Sequence, residues 1–327
     1  MQQSNPKVIK WGIIGLGKIA HKFAQDLKTV ESCELYAVAS RSSENASEFA
    51  KTYNANVFYD SYEALAKDEH IDAIYIATPH SFHKEHSILC LNHKKAVLCE
   101  KPFAMNLVEV EEMIATAKAN DTLLMEALWT YFLPHYQYVL EALQTERYGK
   151  LLKLEADFGF HPEINMNSRV FKKSLGGGSL LDIGIYPIFA ALSTLGIPNQ
   201  IDAKAEFFDN GVDASCDIIF SYDNDVKAYL KSTLLEKTPT EALFYCEKGT
   251  IKINSRFHEP STVILIVDGK ETTLDFDYKT IGYSYEIAHF NQLLRDGKTE
   301  SDVMTFAFSR TLMQTLDAVR KHIGLNY

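Results

Sequence analysis

Apolar positions along this chain follow two patterns, and the change between them divides it. Up to about residue 127, short solid apolar runs alternate with stretches in which apolar residues recur every three or four positions. The runs at 8–14, 33–40, 71–77, 96–100 and 122–126 suit strands buried on both faces. The periodic stretches at 19–30, 43–54, 80–92 and 106–120 read as helices. Strand alternating with helix predicts an α/β domain on a doubly wound parallel sheet over residues 1–127. Beyond it, Pro134 opens a helix through Thr145, and Leu152, Leu154, Ala156 and Phe158 at spacing two mark a half-buried strand. A helix fits 179–195, stopped by Gly196 and Pro198. From 201 to 276 the signals are nearly all strands, with turns at 223–225 and 268–269. Helices at 285–295 and 303–322 close the chain. Residues 128–327 are therefore expected to form an α+β domain on a large open, mostly antiparallel sheet.

Composition narrows the picture. A chain of 327 residues with 46% hydrophobic positions supports two domains with ordinary cores. A net charge of −10 argues against a nucleic-acid partner, which needs a basic footprint. No apolar run approaches the roughly 20 residues of a membrane span, and residues 1–7 lack the apolar core of a signal peptide. Five cysteines without a CxxC pair read as buried thiols in a reducing cytosol, so a cytoplasmic protein is expected.

The first apolar run leads into Gly15-x-Gly17-x-x-Ala20. Gly15 can take a tight turn, Gly17 lets a pyrophosphate approach the backbone, and Ala20 lets the next helix pack on the strand. The helix start at Lys18 and Ile19 would offer free N–H groups to phosphates. A dinucleotide site is expected there. Ser40-Arg41 closes the second strand, where an acid would bind an adenosine ribose; a guanidinium suits a 2′-phosphate, favouring NADP over NAD. A solvated arginine is the alternative. Glu100-Lys101-Pro102 ends a strand, and the proline would fix the lysine's direction and makes a cis bond possible. Gly176-Gly177-Gly178 precede Ser179, which can cap a helix, and Asp182 and Tyr186 lie one turn apart on it. A carboxylate and a phenol so placed suit substrate hydroxyls and proton transfer. From the residues alone, a dipole-stabilised carboxylate and a core aromatic fit as well. His80, His83 and His86 are spaced by threes without a converging ligand set, so no metal site is expected and surface or cofactor-edge histidines are the better reading.

Taken in order, Gly15-x-Gly17-x-x-Ala20, Glu100-Lys101-Pro102 and Gly176-Gly177-Gly178 with Asp182-x-Gly184-x-Tyr186 resemble the Gfo/Idh/MocA family of oxidoreductases from first strand to last helix. The stretch 126–134 (EALWTYFLP) and Tyr186 are similar to its dimeric dihydrodiol dehydrogenase and NADP-dependent D-xylose dehydrogenase branch. The resemblance implies a Rossmann domain and a C-terminal open-sheet domain. It implies that Lys101 and Tyr186 act at the reacting oxygen, with Asp182 helping to hold substrate. Thr78, Pro79, His80 and His83 would border the nicotinamide with Glu100, and Trp129 would line the pocket. Arg169, His161, Phe158 and Phe160 precede or flank the glycine run and are candidate pocket walls. Tyr131 departs from the branch, which carries arginine there, and this bears on substrate choice or the dimer contact. A free phenol has a pKa of about 10, and a neighbouring ammonium lowers it; the implied Lys101–Tyr186 pair would exchange the proton of a secondary alcohol or carbonyl.

The expected activity is NADP(H)-dependent hydride transfer on a sugar, polyol or cyclic diol. A nonenzymatic dinucleotide sensor on the same scaffold is the alternative, as is a reductase of a conjugated pigment or imine. An uncovered apolar face on the C-terminal sheet predicts a homodimer.

Overall fold

In the computed structural model, which describes residues 7–163 and 165–327, six strands form the first sheet. They are β1 (Ile9–Ile14), β2 (Cys33–Ala39), β3 (Val57–Tyr59), β4 (Ala73–Ile76), β5 (Ala96–Glu100) and β6 (Leu124–Ala127). Their order is β3-β2-β1-β4-β5-β6, all parallel. This is the doubly wound order in which the strand sequence reverses at β1, so ligands gather beyond the carboxyl ends of β1 and its neighbours. The helices between are α1 (Lys18–Leu27), α2 (Ser43–Tyr53), α3 (Tyr62–Lys67), α4 (His83–Asn92) and α5 (Leu107–Asn120). Strands β1, β4, β5 and β6 are almost wholly buried, which is why their sequences read as solid apolar runs rather than alternations. Trp11 fills the core of this unit beside Phe23 and Phe290.

The second sheet has eight strands in the order β14-β13-β12-β11-β7-β10-β9-β8. They are β7 (Leu151–Gly159), β8 (Gln200–Phe207), β9 (Asp213–Ser221), β10 (Lys227–Thr233), β11 (Ala242–Cys246), β12 (Gly249–Ile253), β13 (Val263–Val267) and β14 (Lys270–Leu274). Every pairing is antiparallel except β7 with β10. Leu154, Ala156 and Phe158 face inward with Leu230, Ile218 and Phe244, whereas Leu152, expected inside, is 48% exposed. Helix α6 (Pro134–Gln144) begins with proline at its first turn. A π-helical turn, Leu180–Gly184, runs into α7 (Ile185–Leu195), which packs on β7 and β10. Helices α8 (Tyr283–Arg295) and α9 (Phe306–Ile323) follow the sheet.

Three expectations need correction. The chain does not divide once at 127/128: residues up to Trp129 group with 279–310, and 130–278 with 311–327. The helical run Lys173–Leu195 is long and apolar enough to cross a membrane, against the expectation that none is. Its most apolar window is 94% buried inside the fold, so it is a core helix. The outer face of the second sheet is mixed rather than purely apolar. Ile219 and Tyr229 are exposed there among ion pairs such as Lys153–Glu155 and Lys231–Glu236, each at 2.8 Å. That face holds an open trough of about 580 Å³ lined by Glu155, Asp157, Asp217, Ile219, Tyr229 and Lys231, among others.

Candidate functional site

In the first unit, the sequence-predicted cofactor residues gather beyond the carboxyl ends of β1, β2, β4 and β5. Gly15 has φ +88°, and a Cβ there would lie 2.8 Å from the Ala77 backbone, so only glycine lets β1 turn this close to the end of β4. Nothing lies within 4 Å of a Cβ placed on Gly17. Gly17 is the N-cap of α1, no side chain caps that helix, and Lys18 and Ile19 are exposed while Ala20 is fully buried. An open space facing uncapped helix N–H groups fits a pyrophosphate.

Ser40 and Arg41 follow β2. The Ser40 hydroxyl accepts the Ser42 N–H at 3.2 Å, and the Ser42 hydroxyl caps α2 by accepting the Asn45 N–H at 3.3 Å. Arg41 is exposed and hydrogen-bonds Tyr62 at the start of α3. Burial, with a smaller contribution from the Arg41 charge, pushes His86 down to about 4 and keeps its imidazole neutral; its Nδ1 lies 3.0 Å from the Thr78 hydroxyl. His86, on α4, was among the histidines expected at a surface or cofactor edge, whereas Tyr62 carried no signal in the sequence because α3 and β3 are short and unpatterned.

Glu100 ends β5, and the Lys101–Pro102 bond is cis. Three side chains hold this turn by its backbone. One Glu100 oxygen accepts the Tyr75 hydroxyl and the other the Lys101 N–H at 3.3 Å. Glu126 accepts the Phe103 N–H at 2.9 Å, and His83 Nδ1 lies 2.8 Å from the Pro102 carbonyl. Burial pushes Glu126 up to about 7. Burial, the Glu100 charge and the Asp26 charge hold the Glu286 carboxyl well above the ordinary range, and neither of its oxygens has a hydrogen-bond partner. The three histidines are not surface groups: His80, His83 and His86 are 5%, 0% and 8% exposed. His83 faces inward with both ring nitrogens against backbone carbonyls, so it braces the site instead of bordering a nicotinamide through a polar atom. Trp129, expected to line a substrate pocket, is buried and stacked on Tyr283 with ring centroids 4.3 Å apart.

In the second unit, the glycine run does what its lack of side chains allows. A Cβ on Gly177 would sit 2.5 Å from the Val170 carbonyl and 2.7 Å from that of Arg169, so this glycine lets the Arg169 turn lie against the run. Gly178 has φ +120°, and a Cβ there would meet Asp213 Oδ1. Ser179 does not cap the following helix, as the sequence suggested. Asp213 does, accepting the Leu180 N–H at 2.6 Å and the Ser179 hydroxyl at 2.9 Å. Burial raises Asp213 to about 6 despite these bonds. The π-helical turn after it carries Asp182, whose carboxylate pairs with Arg169 at 2.8 Å. Tyr186 is 5% exposed, with its ring 4.6 Å from His258 and 5.8 Å from Phe158; His258 in turn stacks on Phe158 at 4.2 Å. Beyond it, His258 Nε2 lies 3.6 Å from Glu259, which Arg256 grips. The histidine is 72 residues from Tyr186 in sequence and nothing in the pattern marks it. Among the described residues no cluster of His, Cys, Asp and Glu is placed to hold a metal ion.

Comparison with known proteins meets the same two halves. Residues 9–128 match the oxidoreductase family with an NAD-binding Rossmann fold, and residues 136–252 the Gfo/Idh/MocA C-terminal domain. Trans-1,2-dihydrobenzene-1,2-diol dehydrogenase from Xenopus tropicalis is 37% identical, covering 97% of this chain and 99% of that protein. The NADP(+) scyllo-inositol 2-dehydrogenase IolU of Bacillus subtilis is 35% identical over 98% of both. A solved 3-ketoreductase from Actinomadura kijaniata, in complex with NADP and TDP-benzene, superposes with a TM-score of 0.88 at 25% identity, covering 96% of this chain and 98% of that one.

Proposed function

This chain belongs to the Gfo/Idh/MocA family, as an NAD(P)-dependent oxidoreductase acting on CH–OH groups, and on that premise we propose an NADP(H) enzyme for the secondary alcohol or carbonyl of a sugar, polyol or cyclic diol. The observation that carries this reading is the Arg169–Asp182 ion pair on the same glycine-led segment as the buried phenol of Tyr186. A carboxylate held by an arginine accepts hydroxyl hydrogen bonds without drifting, and a phenol in a dry pocket can pass a proton. The named relatives act on a dihydrodiol and on an inositol, which supports hydroxylated carbon as the substrate class. A dinucleotide sensor has no observation in its favour.

NADP(H), when bound, supplies the hydride acceptor or donor. In the proposed mechanism the role of Tyr186 is to give or take the substrate's oxygen-bound proton, and that of the Lys101 ammonium is to stabilise developing negative charge. Asp182 orients a neighbouring hydroxyl, and the ion pair with Arg169 holds its carboxylate in place. Five free cysteines, three of them buried, support a reducing, cytoplasmic setting.

Arg41, joined to Tyr62 and lying past β2, is the proposed 2′-phosphate ligand. Fluorescence titration should show tighter binding of NADPH than of NADH. Arg41→Ala should weaken NADPH by roughly tenfold or more, the worth of a charge-assisted bond of about 1.5–3 kcal/mol, and leave NADH little changed. Equal losses for both cofactors would rule Arg41 out as the phosphate ligand.

We also propose a homodimer through the outer face of the eight-stranded sheet. The mixture of Tyr229, Ile219 and paired charges on that face suits a self-complementary interface. Light scattering at micromolar concentration should give twice the chain mass, and Tyr229→Asp should shift it to the monomer. A wild-type monomer would end this part of the reading.

A further inference from the structure

His83 opens α4, is fully buried, and has both ring nitrogens in hydrogen-bonding range of backbone carbonyls: Nδ1 to Pro102 at 2.8 Å and Nε2 to Thr78 at 2.8 Å. Carbonyl oxygens only accept. A neutral imidazole has one N–H and one lone pair, so it can satisfy one of these contacts and sets its lone pair against the other carbonyl. Two short contacts to two acceptors demand two N–H donors, and only the imidazolium has them. The two carbonyls are not equivalent bystanders. Thr78 follows β4 at the carboxyl edge of the sheet, and Pro102 follows Lys101 in the turn after β5.

We propose that His83 is a buried imidazolium that ties the end of β4 to the Lys101–Pro102 turn, and so is a positioning residue for the Lys101 ammonium. The proposal rests on the oxidoreductase reading for its functional consequence, not for the charge state itself. A cation without solvent needs compensation, and the turn supplies it. The carbonyl dipoles point at the ring, while the Glu100 and Glu126 carboxyls hold the Lys101 and Phe103 N–H groups on either side of Pro102. Other ionisable groups on the elements around it are Tyr75 on β4, Lys84 and Glu85 next to it on α4, His80, whose ring lies 5.7 Å away, His86 on α4, kept neutral by its burial, and the Cys90 and Cys99 thiols, which burial raises and keeps protonated. Lys101 is the one like charge on the turn, and it directly follows Glu100, the last residue of β5. Loss of the proton would release one of the two carbonyls and leave it without its donor, at a buried position where that is costly.

The direct test is nitrogen-15 NMR of the whole wild-type protein labelled at histidine, with His83 assigned through its own ring-carbon correlations. Both His83 nitrogens should be protonated at neutral pH and stay so about two pH units above the ordinary imidazole value of about 6.5. A bare His83 nitrogen at neutral pH overturns the proposal. The consequence is read in kinetics. His83→Ala, checked for native near-UV circular dichroism, should lower kcat about 100-fold, as expected for a misplaced reacting group, with NADPH affinity changed far less. His83→Gln, whose amide can donate to one carbonyl, should recover part of that loss. A folded His83→Ala with unchanged kcat would show that the tie does not position Lys101. If wild-type protein turns over no sugar or diol, the functional reading fails, and the NMR result still decides whether His83 is the charged tie.

Discussion

Replacing Lys101 with methionine should lower kcat by about three orders of magnitude, within the range set by electrostatic and proton-transfer contributions, while NADPH still binds. The reason lies in how the turn is built. Glu100, Glu126 and His83 all hold it by main-chain atoms, namely the Lys101 N–H, the Phe103 N–H and the Pro102 carbonyl. None of these three bonds uses the lysine side chain, so methionine keeps the stem's volume and leaves these backbone ties in place while it removes the ammonium. The glycine turn at Gly15 and Gly17 and the Arg41–Tyr62 pair lie elsewhere on the sheet edge and keep their geometry. Single-turnover kinetics with a saturating NADP⁺ and polyol panel, beside fluorescence titration of NADPH, would check both halves. Turnover within a few-fold of wild type would remove Lys101 from the chemistry. Loss of NADPH binding would instead make it a cofactor ligand.

Tyr186→Phe should cost about two to three orders of magnitude in kcat, the usual contribution of a positioned proton donor or acceptor. The phenylalanine ring can occupy the same place against His258 and Phe158, so packing and folding are preserved and the hydroxyl alone is lost. The substrate KM should move little, because the Arg169–Asp182 pair that would orient a hydroxyl is untouched. A variant that retains wild-type kcat would mean that the proton travels by another group. A variant with a raised KM and normal kcat would recast Tyr186 as a binding residue.

Much of the fold was legible because burial on both faces leaves a mark that needs no partner to interpret. Strands β1, β4 and β5 are solid apolar runs, and the glycine turn follows the first of them. The candidate residues Lys101, Asp182 and Tyr186 were legible for a different reason: motif spacing, read through a family resemblance, singled them out. Helix ends were less legible. Helix α8 begins two residues before the expected 285 because Asp26, some 255 positions earlier, accepts the N–H groups of Ile281, Gly282 and Ser284. The helical run after the glycines is likewise capped by Asp213 rather than by the adjacent Ser179. A cap supplied from a distant element leaves no local signature.

The same division holds for the chemistry. By itself the sequence determined two domains' worth of pattern, the position of a dinucleotide turn, and a lysine and a phenol in a fixed order along the chain, since each depends on local periodicity or spacing. Only the tertiary structure decided that the chain returns to its first unit at 279–310 and that the exposed sheet face is charged as well as apolar. It alone turned His83 inward between two carbonyls and set His258 against Tyr186. These facts depend on which residues meet across long sequence separations, and a buried hydrogen bond is specified by both of its ends.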